Sequence, residues 1–142
     1  MKKCIFLFSF VFTLFISNRV SAQIQVPASV KKVDTSVIDD VTNSDFSKDI
    51  LKALDPGKSF TSPDKLLKLL GNNKDYVSNI LGVVNGSGTE DEKTTKINAL
   101  QSERKDFIEN LLGEGKAADY YKLIKNNIEP LTKKYKLANL FL

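Results

Sequence analysis

Residues 84–92 read VNGSGTEDE, and Glu90-Asp91-Glu92 is the one run of three consecutive carboxylates in the chain. Carboxylates interleaved with Asn, Ser and Thr are the material of calcium loops. An EF-hand loop needs a carboxylate at its first position, glycine at its sixth and a bidentate Glu at its twelfth. Counted from Asn85, those places hold Asn85, Glu90 and Lys96, so all three fail. The same residues account for themselves as helix punctuation. Asn85-Gly86 closes one helix, and Thr89 with Glu92 three residues on forms a T-x-x-E capping box that opens the next. A loose cation site from Glu90, Asp91 and Glu92 is the unspecific remainder. A hydrolase would draw a carboxylate pair from Asp91, Glu92, Glu103 and Glu109, but it needs a concave site that drives two pKa values apart, and the sequence marks none. The expectation is a protein that is not an enzyme, with no cofactor and no metal.

The remaining chemistry is cationic and aromatic. Arg104 falls inside an apolar stripe, between Leu100 and Phe107. It reads either as a ligand-binding cation or as a stem that covers apolar surface with its head in water. Tyr120 and Tyr121 point about 100° apart on a helix, so one packs and the other lies at the rim. Lys122, Lys125, Lys133, Lys134 and Lys136 alternate with Tyr121, Tyr135 and Phe141, the pattern of a basic amphipathic surface for an anionic envelope partner. Residues 122–142 carry five Lys against Glu129, whereas residues 33–64 carry seven Asp against three Lys. The plainer reading of that asymmetry is that the two ends lie near each other or solvate their own faces.

These residues sit behind an export signal. Lys2 and Lys3 precede a mostly apolar run from Cys4 to Ile16, and Val20-Ser21-Ala22 supplies small residues for cleavage before Gln23. The run is shorter than the roughly 20 residues a bilayer-spanning helix needs. Cys4 stands at its start and not just after it, the wrong end for lipid modification. The product is expected outside the cytoplasm, periplasmic or secreted. Loss of Lys2, Lys3 and Arg19 reduces 21 basic residues to 18 against 17 acidic ones, so the basic character belongs largely to the leader and nucleic acid is not an expected partner. The only Cys leaves with the leader and the chain has no His or Trp. Disulfide bonds, Cys/His zinc sites and Ser-His-Asp triads are thereby excluded from the mature protein.

Residues 23–34 form an extended leader and residues 35–142 a single domain. Val37, Val41, Phe46, Ile50 and Leu54 follow helical spacing, with Ser44 as an N-cap and Asp55-Pro56-Gly57 as the stop. Ser62, Pro63 and Asp64 open a second helix whose expected apolar face is Leu66, Leu67, Leu70, Val77, Ile80, Leu81 and Val84, with a kink or a division into two helices at Gly71. A third runs from Glu90 to Leu112 and stops at Gly113. A fourth carries Ala117, Tyr120, Tyr121, Ile124 and Ile128. Pro130 opens a last helix with Leu131, Tyr135, Ala138 and Leu142 on one face. No segment reads as a strand. The fold class is all-α, an antiparallel bundle of four to five short helices joined by short loops.

The order of a Ser-Pro-Asp helix start, a charged helix with SERKDFIENLLG, a short break and YYKLI is similar to the layout of small periplasmic helical proteins of the Spy/CpxP type. In that family a Leu-Thr helix start followed by Gln recurs at two helix beginnings. Here those places read FTSPDK and LLGEGK, so the resemblance is one of layout over residues 60–128. It implies an ATP-independent envelope chaperone that shields unfolded proteins on amphipathic helices. The expectation carried forward is an exported binding protein, chaperone-like or docked on an anionic membrane surface. Its expected contact residues are Arg104, Tyr121, Lys122, Lys125, Lys133, Lys134, Tyr135, Lys136 and Phe141.

Overall fold

The computed structural model describes residues 44–142, and side chains from Asp45 onward. The expectations for the export signal, for the extended leader and for Val37 and Val41 lie outside the described residues. Four α-helices follow in order: α1 (Ser44–Ala53), α2 (Pro63–Asn85), α3 (Glu90–Leu112) and α4 (Glu114–Ile128). Two 3₁₀ segments, Glu129–Lys133 and Lys136–Phe141, complete the chain. Among the described residues there is no strand, and the fold is a small all-α bundle.

Each helix begins and ends for a local reason. In α1, Phe46, Ile50, Ala53 and Leu54 recur on one face and are buried together. The turn after it is fixed by the Gly57 amide donating to Asp55 Oδ1 at 2.8 Å. Ser62 stands at the N-cap of α2 in extended geometry, and Pro63 occupies the first turn, where its missing N–H leaves no helical bond unmade. At the start of α3 the capping box is complete: Glu92 N–H donates to Thr89 Oγ1 at 3.2 Å, and Thr89 N–H donates to Glu92 Oε2 at 2.9 Å. A single residue, Gly113, joins α3 to α4 at φ +82°, a conformation that side chains with a Cβ resist.

The α2–α3 hairpin is antiparallel. Buried Lys93, near the start of α3, sends its Nζ to the Val84 carbonyl at the end of α2 over 2.7 Å, and Arg104, halfway along α3, reaches Asn72 and Asn73 of α2. α1 lies across the body, tied to α2 through Asn73 Nδ2 to Leu54 O (2.8 Å) and to α4 through Asn127 Nδ2 to Ala53 O (3.1 Å).

Three expectations change. First, α2 is one uninterrupted helix through Gly71, because the helical bonds on either side continue and the neighbouring Asn73 is anchored in the core. Second, the first half of its buried face is rotated: Leu69, Asn73 and Tyr76 point inward while Leu67 is 70% exposed, whereas Val77, Ile80 and Val84 are buried as expected. Third, the last amphipathic α-helix does not form. Pro130 cannot supply an amide to continue α4, and the chain tightens into 3₁₀ turns that place Tyr135, Leu137, Ala138, Leu140 and Phe141 in the core.

Candidate functional site

Arg104 occupies the centre of the molecule. It is only 7% exposed, and α2, α4 and the turn after α1 contribute to the cluster around it. From α2, Asn72 Oδ1 accepts from one guanidinium nitrogen at 2.9 Å and Asn73 Oδ1 from another at 2.7 Å. From α4, the Tyr120 hydroxyl accepts at 3.2 Å. That hydroxyl's own proton goes to Leu54 O or to Asn73 Oδ1, each 2.9 Å away. From the turn just after α1, the Leu54 carbonyl also takes the Asn73 amide. The Tyr76 ring lies flat to the charge, 4.4 Å from guanidinium carbon to ring centroid.

No carboxylate pairs with this buried cation among the described residues. Its charge is balanced by amide oxygens, a ring face and the carbonyl end of α1, where the helix carries partial negative charge. An Arg so placed is committed to holding the helices together. Of the two sequence readings, the solvated head is corrected: the head is inside, bonded to Asn72, Asn73 and Tyr120. Burial raises the Tyr76 hydroxyl to about 12 against the opposing pull of Arg104. Tyr120 is raised for the same leading reason.

Two aromatic strings frame the cluster. Tyr135, Phe46, Phe141 and Tyr76 follow one another edge to face at centroid separations of 5.0, 6.1 and 5.7 Å, linking the C-terminal segment through α1 to the Arg104 site. Phe60 sits 5.8 Å from Tyr120 and beneath Lys116, whose Nζ donates to the Phe60 carbonyl at 2.7 Å. Tyr120 is fully buried and Tyr121 half-buried at the rim, as their 100° separation requires. Burial raises the Tyr121 hydroxyl, which finds no partner among the described residues.

Compared with known protein families, with curated proteins and with solved structures, the chain matches none. Its candidate binding surface is therefore read from its own side chains.

The lysines part from most of the aromatics, and Lys134 stays against one, its Nζ 4.7 Å from the centroid of the Tyr135 ring. Lys122, Lys125, Lys133, Lys134 and Lys136 are exposed, but Tyr135 and Phe141, expected beside them, are core residues. Lys134 is occupied, 3.0 Å from Asp49 Oδ2, and Tyr135 donates its hydroxyl proton to the same oxygen at 2.9 Å. These two hydrogen bonds, Lys134's first, hold the Asp49 carboxyl below its ordinary value. The acidic and basic ends of the domain thus meet. Sequence reasoning counted Asp49 among the acidic residues without seeing its partner. It missed Asn73, Tyr76 and Lys93 as buried polar anchors. The one available signal was Asn72-Asn73 in the middle of a strong helical pattern, where Asn is a poor choice unless it bonds something.

The carboxylates suggested for hydrolysis do not converge. Asp91 and Glu92 stand on the first turn of α3 and Glu109 near its last, about 25 Å apart at 1.5 Å per residue. Glu92 is spent on the capping box, Glu109 lies 3.5 Å from Lys105, and Glu103 is exposed. Among the described residues no group of His, Cys, Asp or Glu is placed to hold a metal, and no helix is long and apolar enough to cross a membrane.

Proposed function

We propose that the mature chain is an exported binding protein without catalytic activity, whose lysine face on α4 and the turns after it engages an anionic envelope partner. The observation that carries this reading is the separation of charge from grease at the C-terminal end: Lys122, Lys125 and Lys133 project into solvent while Tyr135, Leu137, Leu140 and Phe141 are turned inward. A surface of that kind attracts by charge and does not insert, so its binding is weakened by salt. Docking is tested by co-sedimentation with vesicles rich in phosphatidylglycerol and, separately, by titration with polyglutamate. Binding that falls with salt and is lost when Lys122, Lys125 and Lys133 become Gln supports the proposal. Preference for polyglutamate identifies a protein partner and preference for vesicles a membrane one. Equal binding of neutral vesicles, or binding by the triple variant, removes it.

A chaperone-like reading draws on a different surface. Leu67 is exposed on α2 beside half-buried Leu66 and Leu70, and Phe107 and Leu111 of α3 are half-buried as well. Exposed apolar surface of this kind holds unfolded chains. Suppression of aggregation of an unrelated unfolded protein, reduced in a Leu67→Lys variant, is the outcome expected of a holdase. Undiminished suppression by that variant places the activity elsewhere.

A further inference from the structure

The loop that resembled a calcium site carries a different chemistry. We propose that Asn85-Gly86 is a self-modifying junction, at which Asn85 converts spontaneously to aspartate and isoaspartate. The main-chain nitrogen of Gly86 attacks Cγ of Asn85. The new N–Cγ bond closes a five-membered succinimide as the Cγ–Nδ2 bond breaks, and Nδ2 leaves as ammonia with the proton from the Gly86 amide. Water then adds to either ring carbonyl and reopens the ring, giving an α-linked or a β-linked aspartate. Water is the only co-reactant, and nothing is oxidised or reduced.

Four features favour the reaction here. Asn85 is the last residue of α2 and is exposed, as are Gly86, Ser87 and Gly88 after it. The Asn85 side chain makes no hydrogen bond among the described residues, so its carboxamide is free to turn toward the backbone. Gly86 has no side chain to obstruct the approach to its nitrogen. The anchorage of the helix end stops one residue earlier, where Lys93 Nζ holds the Val84 carbonyl. What restrains the reaction is a single terminal bond, Gly86 N–H to Gly82 O at 3.0 Å, in the part of a helix that frays first.

Other asparagines provide internal controls. Asn79 is as exposed but sits within α2 and is followed by β-branched Ile80. Asn110 is exposed within α3 and followed by Leu111. In both, the helix fixes the following amide away from the side chain. The consequence at residue 85 is a new carboxylate at the carbonyl end of α2, where like partial charge opposes it. In the β-linked product there is also one extra main-chain carbon in the turn that sets the α2–α3 hairpin.

The test uses the purified full chain, incubated under native conditions at mildly alkaline pH and followed by peptide mass mapping and by enzymatic isoaspartate labelling. The expected result is a gain of one mass unit and isoaspartate label confined to the peptide containing Asn85, with Asn79 and Asn110 unchanged, and loss of both signals in Asn85→Gln. Conversion at Asn85 only after denaturation in urea, or conversion at Asn79 at the same rate as at Asn85, overturns the proposal.

Discussion

The Asn73 side chain links Arg104 of α3 to the carbonyl that follows the end of α1: its Oδ1 accepts from the guanidinium at 2.7 Å, and its Nδ2 donates to Leu54 O at 2.8 Å. One amide thereby satisfies a buried cation and a helix end at once. Removing either partner leaves buried groups unpaired, and a buried donor or acceptor without a partner costs about 1–3 kcal/mol.

Replacement of Arg104 by Ala therefore destabilises the fold by about 3 kcal/mol or more, since Asn73, Asn72 and Tyr120 all lose a donor. Urea denaturation followed by circular dichroism measures it. A midpoint unchanged from wild type contradicts the structural role assigned to this residue.

The C-terminal segment separates packing from charge. Phe141, 5% exposed, contacts both Phe46 and Tyr76, so Phe141→Ala is expected to cost about 3–5 kcal/mol. The exposed Lys134–Asp49 pair is screened by water and salt. Lys134→Gln should shift the denaturation midpoint far less, and the difference should disappear in molar salt.

Two glycines respond oppositely to the same substitution. Gly113 sits at φ +82°, and Gly113→Ala is expected to destabilise by about 1 kcal/mol or more. Gly71 lies within α2 with open space where a Cβ would be, so Gly71→Ala is expected to stabilise by about 0.5–1 kcal/mol. Thermal melts of the two variants decide it.

Acid sensitivity follows from two carboxyls whose folded values lie below their ordinary ones. Glu92 is lowered first by the Thr89 amide, and Asp49 first by Lys134. A lowered folded value stabilises the protein above the ordinary value and is lost as pH falls through the folded one. The difference in stability between wild type and Glu92→Gln should be present at neutral pH, begin to shrink near the ordinary value of 4.5 and vanish once pH has fallen through the lowered folded one.

Alkaline sensitivity has the opposite sign. Tyr76, pushed up to about 12 by burial, keeps its proton in the fold while the unfolded phenol loses it near 10, so its contribution is complete below 10 and is lost between 10 and 12. Ultraviolet titration of wild type against Tyr76→Phe should show one fewer late-titrating phenol. A Tyr76 that ionises near 10 in the folded protein contradicts the burial described here.

Features that depend on a few adjacent residues are readable from the order of amino acids alone. The Ser62-Pro63 start, the Thr89–Glu92 capping box and the Gly113 stop are local hydrogen-bonding and dihedral effects, so they are legible without a fold. Helical periodicity then yields the all-α class, because a repeating apolar face has to be covered. Only the tertiary structure decided which way the faces turn. Leu69 replaced Leu67 in the core because Asn73 and Tyr76, one and two turns further along, are drawn inward by Arg104 thirty residues away. The C-terminal lysines and aromatics parted for a similar reason: Pro130 ended α4, and the aromatic rings of the following turns found Phe46 and Tyr76 as partners. Attractions between residues distant in sequence fix the rotation of a helix, and local spacing carries no record of them.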